Sequence, residues 1–308
     1  MAIKLKNQHP GIQFAVFFSI TVGMILLNIV LNTFYFTDVA NVLSDKPITP
    51  AQLNSFKWFQ VATTVMIFVM PPLIYGYISD EKPLQYVGLR RHAKLRSFAI
   101  TLLILVAVQP FAMLLSDLNH RIPVSETLRN LEDTTDKAMA RFLVMNTPVD
   151  LLVNFFIVAL LPAIGEELFF RGSLQNILER WTRTPVIAII LSAGFFAMFH
   201  LSFFKFLPIF TLGLALGIIF HITRNLWYSI FFHFVNNGLA LLSSYYATRN
   251  GFMKDLSNND VKLHWSIGLI SLALTIALFI YLRRKNPYTP LENTWRHDVF
   301  RNHFNTPS

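Results

Sequence analysis

Eight apolar runs, each about as long as a bilayer is thick, constrain this chain more than any other feature. A hydrocarbon core roughly 30 Å thick takes about 20 apolar residues per helix. The runs cover residues 13–36, 58–79, 97–116, 151 onward past Arg171, 185–204, 207–223, 226–246 and 265–282. With no water in the hydrocarbon, backbone polar groups in such runs must be satisfied within helices or a closed barrel. Runs of this length and continuity predict helices. The expected fold is therefore all-α: a polytopic integral membrane protein with about eight transmembrane helices around a membrane-embedded cavity. Composition agrees, since 14% of the residues are charged against roughly 25% in soluble domains.

The basic residues alternate with the runs. Lys82, Arg90, Arg91, Lys94 and Arg96 follow the second run, Arg180 and Arg183 the fourth, Arg224 the sixth, and Arg283, Arg284 and Lys285 the eighth. Excess Lys and Arg mark cytoplasmic loops, so eight crossings put both termini in the cytoplasm, with the plasma membrane as the location if the source is bacterial. The net charge of +9 is then a topology signal rather than a nucleic-acid footprint. The first run follows Lys4 and Lys6 but is too long for a signal peptide and reads as a retained anchor. The longest connection, residues 117–150, holds an expected amphipathic helix around Glu126 to Leu143. The absence of cysteine excludes disulfides, thiolate metal sites and cysteine nucleophiles.

Charge inside a bilayer is costly, so an ionisable residue there is by default a candidate functional residue. Of the 17 acids, only Glu166 and Glu167 interrupt the middle of an apolar run. On a helix Glu167 and Arg171, four apart, share a face and can pair, which leaves Glu166, about 100° around, for another task. Pro162 and Gly165 loosen the helix just before it, which suits a site that needs water or backbone access. His200 ends Phe196-Ala197-Met198-Phe199-His200 in the fifth run. His233 and Asn237, again four apart, present one polar face of the seventh.

The helical rise puts Glu166 about 21 Å from the inner end near Arg180 and His200 about 22 Å from Pro185. It puts His233 only about 10–14 Å from Arg224, with Asn237 near 20 Å. His233 therefore meets the others only through helix tilt, a later helix start or a funnel-shaped site. A carboxylate held away from bulk water can act as general base on water and then as acid toward a leaving amine. Imidazoles and a carboxamide can bind a metal or donate to a developing oxyanion. Other membrane-protease signatures are absent: there is no His-Glu-x-x-His, no Gly-x-Ser-Gly and no mid-run aspartate.

Glu166-Glu167-x-x-x-Arg171, Phe196-x-x-x-His200 and His233-x-x-x-Asn237, in that order on successive runs, resemble the three motifs of the CPBP (or Abi) family. That family groups type II CAAX prenyl endopeptidases with bacteriocin-processing and immunity proteins. The resemblance divides the chain into N-terminal membrane helices and loops (1–150), a catalytic core (151–242), and a last membrane helix with a cytoplasmic tail (243–308). It implies an endopeptidase acting on a membrane-associated peptide or lipopeptide, with CAAX-type processing and no nucleic-acid partner. Glu166 would activate the water with His200 assisting, and His233 and Asn237 would form the oxyanion or metal side. Glu167, Arg171 and Phe196 match supporting positions. Zinc held by Glu166, His200 and His233 and a metal-free glutamate mechanism both remain open.

A non-catalytic immunity or scaffold protein binding a peptide in the same cavity is the alternative, and a transporter the third reading. The chain lacks the repeated, broken-helix halves of transporters. His221, Arg224 and Asn225 read as interfacial, snorkelling residues. Pro71, Pro72 and Pro110 read as kinks, and Trp58, Trp181, Trp227 and Trp265 as interface anchors.

Overall fold

The computed structural model describes residues 4–35, 49–90, 92–247 and 263–286. Among them the longer helices are α1 (Pro10–Tyr35), α2 (Pro50–Ser79), α3 (Leu95–His120), α4 (Glu126–Phe142), α5 (Pro148–Thr182), α6 (Pro185–Phe199), α7 (Phe206–Thr223), α8 (Leu226–Ala247) and α9 (Trp265–Lys285). No strand occurs among the described residues. Each of the eight apolar runs forms a helix over most of its described length, the fifth only to Phe199, and α4 is the amphipathic helix expected between the third and fourth. The protein is a multi-pass, all-α membrane protein. Six helices, α1, α2, α3, α5, α7 and α9, are long and apolar enough to cross a membrane. α6 falls short at 15 residues, about 22 Å, and α8 carries polar residues midway. The polar tail expected after Lys285 lies almost wholly outside the described residues.

Contacts between helix ends sort them into two groups. At one end Arg180 donates to Gln13 and Tyr86, Arg96 to Tyr281, Asn286 to Ser97, and the Leu226 N–H to the Gly88 carbonyl. At the other, the Asn119 side chain and α4 hold the 200–207 connection. The first group carries most of the basic residues that follow the second, fourth, sixth and eighth runs. Trp181, Trp227 and Trp265 are substantially exposed at helix ends, whereas Trp58, also exposed, lies more than two turns inside α2, which begins earlier than the apolar run.

The helix interiors depart from regular geometry in three places, two of them just ahead of prolines. α2 contains a π-helical stretch, Val65–Val69, directly before Pro71 and Pro72. α5 contains two, Phe155–Leu160 and Leu168–Gln175, on either side of Pro162. A proline has no N–H for the carbonyl four residues back, and here the ladder widens rather than breaks. In α3, Pro110 opens a turn that Ser271 of α9 fills. Its hydroxyl donates to the Ala107 carbonyl and accepts from the Phe111 N–H.

α5 packs against α1, α2, α6 and α8, while α3 packs against α7 and α9. Close approach is needed at Gly172, where a Cβ would sit 2.7 Å from the Val87 carbonyl. This glycine lets the loop after α2 lie directly on α5, one residue beyond Arg171.

The interfacial reading of Arg224 is corrected by the structure. Arg224 stands at a left-handed turn between α7 and α8 (φ 49°) and is buried against Glu179 of α5. Both guanidinium nitrogens bond the carboxylate, and His221 lies beside the pair. Glu179, an acid close to the end of its run, supplies the partner that the snorkelling reading leaves out. The pair pins the α7–α8 turn to α5. Arg224→Ala leaves the Glu179 charge buried and uncompensated, and is expected to cost about 3 kcal/mol. Denaturation in detergent should place Arg224→Ala well below Arg224→Lys, which keeps the charge.

Candidate active site

Glu166 and Glu167 lie where regular α-helical geometry ends within α5, at the junction of the α-helical segment Leu161–Glu167 and the π-helical stretch Leu168–Gln175. The two carboxylates have different surroundings. Glu167 is fully buried; its Oε1 accepts from Arg171 Nη1 at 2.8 Å and lies 3.0 Å from His233 Nδ1. Arg171 is itself fully buried; it donates from Nη2 to the Gly213 carbonyl at 3.0 Å and lies over the Phe196 ring, 4.5 Å from its centroid. Glu166 is partly exposed and engages neither Arg171 nor Glu167's partners by hydrogen bonding. Its buried Oε2 has no hydrogen-bond partner among the described residues and stands 3.8 Å from His233 Nε2.

The hydrogen bonds fix the imidazole tautomers. A carboxylate paired with Arg171 can only accept, so His233 Nδ1 carries the proton and, in the neutral ring, Nε2 turns a lone pair toward Glu166. His200 Nδ1 is 2.8 Å from the Phe196 carbonyl, which also only accepts, so His200 is likewise protonated at Nδ1. The 3.8 Å separation between Glu166 Oε2 and His233 Nε2 is too long for a direct hydrogen bond and suits a bridging water.

Phe196 is the hub that sequence reading assigned a supporting place. Its ring meets His200 edge-on at 4.7 Å and His233 at 5.6 Å, with Arg171 over its face. Glu166, Glu167, Arg171, Phe196 and His233 thus form one contiguous cluster. His200 joins it through Phe196, at the C-terminal cap of α6, and makes no hydrogen bond to Glu166. Asn237 lies one turn beyond His233. Pro162 leaves the Val158 carbonyl without its helical donor, and Asn237 Nδ2 reaches it at 3.5 Å.

His233 does meet the carboxylates, despite the shallow position that its count along α8 gives. A π-helical stretch holds more residues per turn than an α-helix and advances less per residue. The eight-residue stretch Leu168–Gln175 therefore brings Glu166 closer to the Arg180 end than a regular α rise allows, by roughly 3 Å, which is part of the difference in counted depth and not all of it. The Arg224–Glu179 pair fixes the start of α8 against that same end of α5.

Two residues near the cluster escape a sequence reading centred on charge. Asn236 accepts from Gln109 of α3 at 3.0 Å and stands 3.4 Å from Asn237 Oδ1. Gln109 interrupts the third apolar run, and that interruption is the signal that could have found it. The Gly213 carbonyl, by contrast, leaves no trace in side-chain chemistry.

The donor set has the chemistry of a zinc site, because metal-bound imidazoles commonly donate their other N–H to a carboxylate or carbonyl. The spacing does not fit. Among the described residues no three His, Asp or Glu side chains stand together closely enough to hold a metal ion.

Residues 148–239 match the family model described as type II CAAX prenyl endopeptidase, Rce1-like. The match runs from α5 into α8 and contains every residue of the cluster. No curated protein and no solved structure matches the chain.

The buried Glu167–Arg171 pair generates a prediction. Arg171→Met strands the Glu167 charge among apolar groups and should destabilise the protein by about 3–5 kcal/mol. Adding Glu167→Gln should recover part of that loss, since a neutral amide replaces the stranded charge. Thermal unfolding of both variants in detergent checks it, and a double variant no more stable than Arg171→Met would contradict the pairing argument.

Proposed function

We propose, from the premise that residues 148–239 form an Rce1-like domain of the CAAX-protease type, that this protein is an intramembrane endopeptidase working through a glutamate-activated water. Its substrate is a membrane-associated peptide or lipopeptide of CAAX type. The observation that carries the reading is the unpartnered Glu166 Oε2, 3.8 Å from the Nε2 of an imidazole whose other nitrogen bonds Glu167.

A water held between Glu166 and His233 loses a proton to the Glu166 carboxylate as its oxygen attacks the scissile carbonyl. The Asn237 Nδ2 group donates toward the oxyanion, the role that preorganised amides serve in acyl transfer. Glu166 then passes its proton to the departing amine, which restores the carboxylate. Glu167 holds the His233 tautomer, and Arg171 neutralises Glu167, so Glu166 is the carboxylate left for proton transfer. His200, protonated at Nδ1, presents Nε2 as a second acceptor for water or an incoming N–H.

Glu166→Gln keeps the shape and removes the base. Its cleavage of a farnesylated peptide ending in a CAAX tetrapeptide, in detergent or liposomes, should fall by about 100- to 10,000-fold, with His200→Gln and His233→Gln also impaired. Full activity in Glu166→Gln would overturn the assignment. Absence of cleavage by the unmodified protein would favour a peptide-binding role for the cavity. The reading is independent of metal, so a zinc chelator should leave the rate within about twofold; inactivation reversed by added zinc would replace this mechanism with a metal-assisted one.

A further inference from the structure

α6 is too short to cross the hydrocarbon. Its 15 residues rise about 22 Å, against a core of roughly 30 Å. If α6 starts at the basic face, His200 and the connection 201–205 end within the membrane thickness. Non-helical backbone at such a depth needs protein partners for its polar groups. The backbone is also strained there: Leu201, the residue after His200, has φ 50°, a left-handed conformation that a branched side chain adopts only at a cost.

The partners come from outside the catalytic motifs. Glu132 of α4 is 6% exposed although it lies on a predominantly polar helix. Its Oε1 accepts from the Ser202 hydroxyl at 2.6 Å and the Phe204 N–H at 3.1 Å, and its Oε2 lies 3.3 Å from the same N–H. Asn119, at the end of α3, donates to the Phe203 carbonyl at 2.8 Å and accepts from the Leu207 N–H at 2.9 Å. Around them Lys205 pairs with Asp136, Arg129 lies over the Phe204 ring, and His120 stacks on it. Nothing on α4 enters the Glu166 cluster, yet this helix holds the turn from which His200 projects.

We infer that Glu132 is a positioning residue for His200: α4 straps the strained 201–205 turn, and its carboxylate sets where the imidazole stands over Phe196. The inference rests on the reading that His200 takes part in cleavage. Charge-assisted bonds to a backbone N–H and a hydroxyl are the stronger kind, and losing them lets the turn relax toward a right-handed conformation. An ångström of displacement in a catalytic group suffices for a large rate loss.

Cleavage of the farnesylated CAAX peptide by Glu132→Ala should show kcat reduced about 10- to 100-fold, with KM changed less than about threefold. In a His200→Gln background the same substitution should cost nothing further, because residues acting as one unit are non-additive. Losses that multiply, or a silent Glu132→Ala beside an impaired His200→Gln, would overturn the strap while leaving the catalytic reading intact. Full activity in His200→Gln would instead sink the role of His200. Hydrogen exchange supplies a readout independent of substrate. Glu132→Ala should speed exchange in residues 200–206 at least tenfold and leave Glu166–Arg171 unchanged. Unchanged exchange at 200–206 would overturn the inference, as would acceleration equally spread over both segments.

Discussion

The fully buried pair of Glu167 and Arg171 is the interaction on which the rest of the arrangement depends. Two opposite charges one helical turn apart are costly to carry into an apolar bundle, and partners for each offset that cost. Arg171 is held by Glu167, the Gly213 carbonyl and the face of Phe196, and Glu167 Oε1 by Arg171 and His233, while Arg171 Nε and Glu167 Oε2 find no hydrogen-bond partner among the described residues. These five residues lie on α5, α6, α7 and α8. Neutralising one charge pair thus fixes the relative placement of four helices and the orientation of one imidazole. Glu166, next in sequence but turned away around the helix, is left free of this network.

The helical irregularities act in the same direction. Pro162 removes a backbone donor, widens the ladder and exposes the Val158 carbonyl to Asn237. The π-helical stretch after Glu167 shortens the advance of α5 toward its basic end. At that end the bidentate Arg224–Glu179 pair fixes the α7–α8 turn. All three features bear on how α5 and α8 lie together, and none of them is catalytic chemistry.

Much of this was legible in the sequence. Eight apolar runs gave the helices because the cost of unpaired backbone in lipid leaves few alternatives. The i,i+4 spacings of Glu167 with Arg171 and of His233 with Asn237 gave two faces correctly, since helical geometry is local. Counting residues leaves His233 shallower than the carboxylates because it assumes straight, regular helices, and the π-helical stretch that shortens α5 has no distinct composition. Arg224 looks like a snorkelling residue in the sequence because its partner is 45 positions away. Glu132 was invisible for a similar reason: it is one acid among several on an amphipathic helix, and only the distant turn at 201–205 distinguishes it from its solvated neighbours.

The contrast between the adjacent glutamates shows how one sequence motif can hold two different tasks. Both sit on the same helix, yet a rotation of about 100° gives one a buried counter-ion and leaves the other without one. Exchanging their roles would require turning α5, and Arg171, committed to the Gly213 carbonyl and Phe196, resists that rotation. The arginine therefore does more than balance charge. By locking Glu167 inward it determines that Glu166 faces His233 Nε2, across a gap of the size a water can bridge.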